Sequence, residues 1–485
     1  VATEITEALT ALGANALVQK VISPDLLETV RRYSPLVGFI PTDPWTSNIY
    51  YFNSRNQLPQ GGFVTDGGAR PVSSSNYVQA QFTIRNMQTV GSVTGYAQEV
   101  TRSQIGNLLQ KEIQGATKGL VWDIETGMDW GCAAATANTF PEYDGLDVQC
   151  SQFSTTSNPS NMPINSQDMG GAELTSGMLD QLVELVESNM AEPVIGDDWA
   201  FVLSSRAVSA LGQQFLPQQR YNSVEIAPGV NVPAYREIPF LKSSFLNARS
   251  VAMPAVTATP ANTVAGASLP AGEYFYRLSA VMGRYGELNA CAEVNATVTG
   301  GSSTVTLAFA PPASIEGGLV QSYRVFRSTA TGQESLIGIC DAVVGFLADG
   351  ITPIFATSIV DNGSSLCPVN GATVPAILPV AYYGTNAGVL PRVVASSSGG
   401  LNNGGGEDIY LISRNSDNVV RPYVRDIQPI PLAATVTQPD VLPFALVTDT
   451  CLAVRAVKYM GRLRNVVADL SNTSPVVLTY ANSNP

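Results

Sequence analysis

Serine, cysteine and carboxylate side chains are the groups here that could do chemistry, and each lacks a companion the chemistry needs. Ser204-Ser205 offers two hydroxyls after an apolar run, but a serine nucleophile needs a base, and none of the 485 residues is histidine. The same absence removes the usual proton shuttle near neutral pH and the commonest metal ligand. Six cysteines (Cys132, Cys150, Cys291, Cys340, Cys367 and Cys451) are scattered without a Cys-x-x-Cys pair. Neither a zinc site nor a redox dithiol is indicated, and buried free thiols made in a reducing compartment are expected. Asp197-Asp198 and Glu407-Asp408 could ligate a cation or share a proton, yet adjacent acids beside glycine and polar residues read as solvated loop groups. The Gly-rich stretch 399–408 has neither the G-x-x-x-x-G-K-S/T nor the G-x-G-x-x-G spacing, so it reads as a loop and not as a phosphate cradle. No catalytic residue, metal or cofactor is expected, and the chain reads as a non-enzyme.

Composition supports a structural role. The chain is 45% hydrophobic and only 13% charged, with 42 glycines and 31 prolines. An average globular protein is about 25% charged, so this balance points to a β-rich protein with large buried or subunit-facing surfaces. The length calls for more than one domain. Net charge is −13, from 26 basic and 39 acidic residues without a basic run. A sequence-specific reader of nucleic acid carries a basic footprint, so specific DNA binding is not expected. An acidic wall around DNA fits the charge, as does solubility alone. No apolar run reaches the roughly 20 residues of a membrane helix, and no signal peptide is visible. No membrane association is expected. The chain starts Val-Ala-Thr without an initiator Met, which reads as the removal of an upstream segment.

The elements that would position these groups follow in order. Residues 1–52 read as an N-terminal arm, with a helical stripe from Ile5 to Ile22 and then Pro35, Pro41 and Pro44 breaking regular structure. Residues 53–100 read as a β-ribbon with a Gly- and Pro-rich tip at 57–71. In its returning strand Val78, Ala80, Phe82 and Ile84 alternate with Gln79, Gln81, Thr83 and Arg85. In 101–165, Thr101-Arg-Ser-Gln104 has capping-box spacing, and Ile105, Leu108, Leu109, Ile113, Ala116, Leu120, Ile124 and Met128 keep one apolar helix face. Residues 166–254 are mixed α/β, with a helix over 178–190, a buried strand Trp199-Ala-Phe-Val-Leu203 and a Ser-capped helix over 204–211. From 255 to 372 the pattern is β only, in short alternating strands with turn signals between them, which reads as an inserted sandwich. The α/β composition resumes over 373–440, and 441–485 supplies a closing strand near 444–458.

This order resembles the Hong Kong 97-type major capsid fold of tailed bacteriophages. The resemblance covers about three quarters of the chain. It is carried by Gln60-Gly-Gly-Phe-Val-Thr-Asp-Gly-Gly68 and residues 77–94 as the family's E-loop ribbon, and by 101–128 as its spine helix. Residues 199–211 are similar to the strand–helix step of its axial domain, and 444–458 to the last strand of its peripheral domain. The insert resembles immunoglobulin-like and fibronectin-III-like modules through Gly272-Glu-Tyr-Phe-Tyr-Arg-Leu-Ser-Ala280 and Tyr323-Arg-Val-Phe-Arg-Ser328.

The resemblance implies an α+β fold of arm, ribbon, spine helix, peripheral and axial domains, with an all-β insert projecting outward. It implies self-assembly into hexamers and pentamers of an icosahedral shell around double-stranded DNA, held without sequence-specific contact. The chain would be made in the host cytoplasm and reside in the virion. Further partners it implies are a decoration protein, a portal, a scaffold and a host-surface ligand of the insert. An N-terminal scaffold-like portion would be cut away during maturation. Some members weld subunits through a Lys on the E-loop, but between Asn53 and Thr101 this chain has Arg55, Arg70 and Arg85 and no Lys, so no such crosslink is expected. Gln60, Phe63, Arg70, Phe82 and Arg85 are the candidate subunit-interface residues. An encapsulin-type compartment, or a cell-surface adhesin or surface-layer protein, would share part of this pattern.

Overall fold

A computed structural model describes residues 32, 34–69, 73–102, 107–133, 141–150, 162–195, 198–215, 222–227, 230–246, 251–314, 319–348, 352–363, 366–369, 378–379, 389–392, 406–433 and 440–468. The fold is mixed α+β and mostly strand. It forms two compact units. Among the described residues, one holds parts of 88–120 and 427–447, and the other holds the rest.

In the smaller unit, the strand Arg85–Thr94 alternates half-buried and exposed positions, the period of a strand with one covered face. Gly91 is required there, because a Cβ would lie 2.5 Å from the Phe444 ring. Thr94 ends the strand and caps the helix Gly95–Thr101, its hydroxyl accepting the Ala97 N–H at 3.3 Å. The long helix Leu108–Trp130 starts separately. Asn107 Oδ1 accepts the Gln110 N–H at 3.1 Å, an Asx cap that satisfies an otherwise orphaned first-turn donor. The sequence places this cap at Thr101; the structure moves it to Asn107, because Thr101 is already the last residue of the preceding helix.

The larger unit is organised by a seven-stranded sheet in the order Ser166–Asp168, Met460–Val467, Gly406–Ser413, Trp199–Ser204, Ile238–Ser243, Val230–Tyr235, Asn222–Ala227. Its two innermost strands, Gly406–Ser413 and Trp199–Ser204, are buried at every position. The helix Ser176–Met190 lays Leu179, Leu182, Val183, Val186 and Met190 on the sheet and stops at Ala191, whose left-handed φ of 59° closes the C-cap. Gly461 admits this helix, since a Cβ there would meet Leu182 and Val186 at 2.8 and 2.9 Å.

The closing element differs from its expectation. Residues 444–458 are not one strand: Val441–Thr450 is followed by Ala453–Val454 and a 3-10 turn Val457–Tyr459. The strand that closes the central sheet is Met460–Val467.

Within the same unit the β-only stretch forms two larger sheets and a hairpin of Val343–Phe346 with Pro353–Phe355. One orders Val256–Ala261, Thr304–Phe309, Ser358–Asp361 and Leu366–Val369. The other orders Gly286–Glu287, Gly272–Met282, Val320–Ser328, Ser335–Asp341 and Leu378–Pro379, with Val294–Val298 added on Gly272–Met282. Val256, Val305, Leu307 and Ile359 from the first share one core with Tyr276, Leu278, Tyr323 and Val325 from the second.

Filling the contact at Gly461 tests the main helix–sheet packing. Gly461→Val is expected to lower stability by about 1–3 kcal/mol through overpacking, read as a fall in calorimetric melting temperature. An unchanged melting temperature would show that the helix does not lie this close.

Candidate functional site

Two places in the chain carry the functional argument: a ribbon that reaches into solvent, and a buried cluster of charge. The ribbon pairs Ile49–Gln57 antiparallel with Asn76–Thr83. Its base is apolar and aromatic. Tyr50 is buried, and Phe52 stacks on Phe82 with centroids 6.0 Å and planes 7° apart. Towards the tip the apolar side chains have nothing to bury against, and Leu58, Phe63 and Val64 are exposed, Phe63 completely.

Of the candidate interface residues, Gln60 and Phe63 stand exposed on this tip, Gln60 held by its backbone N–H donating to Ser73 Oγ at 2.9 Å. Phe82 lies in the ribbon base, and Arg85 donates from Nε to the Glu142 carbonyl at 3.2 Å. Arg70 lies outside the described residues. The structure therefore keeps Gln60 and Phe63 together at the tip and engages Phe82 and Arg85 within the subunit.

The buried cluster joins four arginines to four carboxylates. Glu287 Oε2 accepts from Arg324 Nη1 at 2.7 Å and from Arg392 Nε and Arg464 Nη2 at 2.8 Å each. Its other oxygen accepts the Ser279 hydroxyl at 2.7 Å. Asp147 pairs with both Arg324 and Arg462. Asp408 Oδ2 accepts from Arg392 at 2.7 Å and Arg462 at 2.8 Å. Arg464 reaches Asp168 at 2.5 Å. The guanidinium faces are used too, Arg392 over Trp130 at 5.2 Å and Arg462 over Tyr410 at 5.6 Å. Glu287 and Arg324 come from the two-sheet region. Asp147, Asp168, Asp408, Arg462 and Arg464 come from the central sheet and its neighbouring short helix Leu146–Gln149.

Electrostatics follow from that geometry. Burial pushes the Glu287, Asp147 and Asp408 carboxyls up, but the arginines outweigh it and hold all three below the usual range. The charges cancel, so the cluster offers no free base or nucleophile at neutral pH; it holds elements together. Glu407-Asp408 was expected to be solvated; both are buried on the strand Gly406–Ser413. Burial pushes Glu407 up to about 7, opposed by a hydrogen bond with the Ser204 hydroxyl. Ser204 is buried and its Oγ accepts the Ala207 N–H at 3.0 Å, which makes it the cap of helix Ser205–Phe215 and not a nucleophile. The Asp198 carbonyl accepts the Arg414 N–H at 2.6 Å, next to the Trp199–Ser413 pair of the central sheet, and Asp197 lies outside the described residues. Cys132, Cys150, Cys291, Cys340 and Cys451 are buried and not joined in disulfides among the described residues.

Sequence reading missed every arginine of the cluster. The available signal was Met460-Gly-Arg-Leu-Arg-Asn-Val-Val467, where arginines alternate with residues bound for a core in a chain poor in charge. The partner carboxylates lie up to 315 residues away in sequence and carry no local mark.

Two measurements check the cluster. Glu287→Gln leaves three guanidiniums facing a neutral amide, and removing one partner of a buried pair costs about 3–5 kcal/mol. A large fall in unfolding midpoint is expected; a shift within error would mean the arginines do not need this carboxylate. For Glu407 the folded pKa is raised above the unfolded value. Its contribution is present below about pH 4.5 and lost as pH rises to about 7, on the order of 3 kcal/mol. Glu407→Gln should flatten the fall in stability between pH 5 and 7 in pH-dependent denaturation, and an unchanged slope would place the titration elsewhere.

Comparison with known proteins supplies the identity. A family model described as SU10 major capsid protein matches residues 6–256, more than half of the chain. No curated protein matches. Among solved structures, the holo-SrpI encapsulin complex from Synechococcus elongatus PCC 7942 is similar at 11% identity, over 96% of this chain and 99% of that one, with TM-score 0.43. The capsid of a native GTA particle is similar at 7% identity, over 95% and 100%, with TM-score 0.44. A chain of Mycobacterium phage Bobi is similar at 10% identity, over 94% and 99%, with TM-score 0.41. The assignment rests on the family match and not on these distant likenesses. That match spans the ribbon, the long helix and the first strands of the central sheet, and by it the chain belongs to the SU10 major capsid protein family and is a capsid shell protein.

Proposed function

We propose that copies of this chain form hexamers and pentamers that tile an icosahedral phage head around double-stranded DNA, each subunit carrying a Hong Kong 97-type fold. The observation that carries this reading is the family match over residues 6–256. Closed symmetry lets one chain cover a large surface with repeated contacts. The ribbon supplies one such contact: Leu58, Phe63 and Val64 are exposed on a two-stranded arm with no core of its own. Apolar groups held out in this way gain by burial on a neighbouring subunit, at about 25 cal/mol per Å².

In this reading the two-sheet region is an immunoglobulin-like insert on the outer face of the shell, available to a decoration protein or a host-surface ligand. The shared core of its two antiparallel sheets supports a sandwich. The net charge of −13 suits a wall that encloses DNA without gripping it. Portal and scaffold proteins would meet the same shell during assembly in the host cytoplasm. No helix among the described residues is long and apolar enough to cross a membrane.

Deleting the ribbon tip, residues 57–71, tests the assembly reading. Negative-stain microscopy is expected to show loss of closed shells, or shells that come apart at lower temperature. Shells of normal yield and thermal stability would remove the ribbon from the mechanism.

A further inference from the structure

The two-sheet region also meets the long helix, at a turn that runs directly into Glu287 of the buried charge cluster. Its strand Gly272–Met282 turns through the 3-10 segment Gly283–Tyr285 into Gly286–Glu287. Arg284, Tyr285 and Gly286 of this turn each meet a specific partner. Arg284 Nε donates to Asp123 Oδ1 at 2.8 Å, and its guanidinium lies 5.4 Å from the Trp122 ring centroid. Gly286 sits against the Trp130 indole so closely that a Cβ would be 2.4 Å from the ring, and its φ of +66° also favours glycine. Trp130 is fixed in place by its Nε1, which donates to the Phe245 carbonyl at 3.1 Å. Trp122, Asp123 and Trp130 all lie on the last turns of the helix Leu108–Trp130.

The segment that leads into the ribbon is drawn to the same place. Arg32 Nη1 donates to the Arg284 carbonyl at 2.7 Å, and its guanidinium lies 4.5 Å from the Tyr285 ring centroid and 5.4 Å from that of Phe245. One turn along, the Glu125 carboxylate accepts the Leu36 and Val37 N–H groups at 3.0 Å each, at the start of the short helix Pro35–Phe39. The helix end therefore holds the insert turn through Asp123 and Trp130, and the entry to the ribbon through Glu125. Arg32 ties the two together.

We propose that the turn 283–287 is an internal clamp, fixing the end of the long helix and the chain entering the ribbon. The insert then sets the geometry of shell-forming elements from inside the subunit, in addition to any role on the surface. A module held only by linkers would need none of these contacts. Two different chemistries, a charge-assisted hydrogen bond and an indole seated on a glycine, converge on a single five-residue turn. The inference concerns the folded subunit and does not depend on the lattice proposed above.

Hydrogen–deuterium exchange of the full chain tests it. Asp123→Asn and Arg284→Gln change partly exposed groups and spare the core. Either variant should speed exchange about tenfold in residues 35–40 and 121–130, with strand Trp199–Ser204 unchanged, as expected when one charge-assisted hydrogen bond guards a local opening. Gly286→Val should enlarge the same local effect. Unchanged exchange in 35–40 and 121–130 in both side-chain variants overturns the clamp, and so does an equal rise across the central sheet, which would make the turn a general stabiliser. Microscopy of the same variants reads shell formation separately, so a failed clamp leaves the assembly reading standing.

Discussion

One buried carboxylate gathers three separate segments of this subunit. Glu287 receives three guanidiniums on a single oxygen, and each arrives from a different segment: Val320–Ser328, residues 389–392 and Met460–Val467. None of the four groups is stable alone in a low-dielectric interior; each is tolerable only because the others are present. Such a cluster adds less net stability than an apolar core of the same volume would, but it tolerates few alternatives. A strand that slipped by one residue would turn Arg462 and Arg464 away and leave Asp147 with Arg324 alone and Asp408 with Arg392 alone. Register of the closing strand is thereby tied to correct seating of the two-sheet region.

This bears on the two-sheet region. Its sequence suggests a module inserted at residues 255–372. The structure ties it to the central sheet through Arg464–Glu287, to the short helix Leu146–Gln149 through Arg324–Asp147, to residues 389–392 through Arg392–Glu287, and to the long helix through Arg284–Asp123. It also falls within the larger compact unit and does not form one of its own.

Elements with a repeating signal were legible in the sequence. The alternation of Val78, Ala80 and Phe82 gave the ribbon strand, and the spacing of Leu179, Leu182, Val183 and Val186 gave the helix face, because periodicity reports which side is covered. Trp199–Ser204 was legible as a buried run. What could not be read was pairing. Asp408 looks the same in sequence whether it faces water or Arg392, and Asn107 competes with Thr101 as a cap only once the first helix is seen to end. Of the candidate interface residues, Phe63 carries a local sign, an aromatic among glycines, while the side chain of Phe82 turned out to complete a stack within the ribbon. The arginines of the cluster gave no sign, since their partners are distant in the chain.

Sequence separation in the cluster also sets an order of events during synthesis. Asp147 waits for Arg324, 177 residues later, and for Arg462, 315 residues later. At translation speeds of about 5–20 residues per second, the wait is on the order of half a minute. Until residue 467 has been made, the strand Gly406–Ser413 lacks one of its two partners, and Asp147 and Asp408 lack Arg462. The finished interior, and the surface it supports, belongs only to a chain made through Met460–Val467.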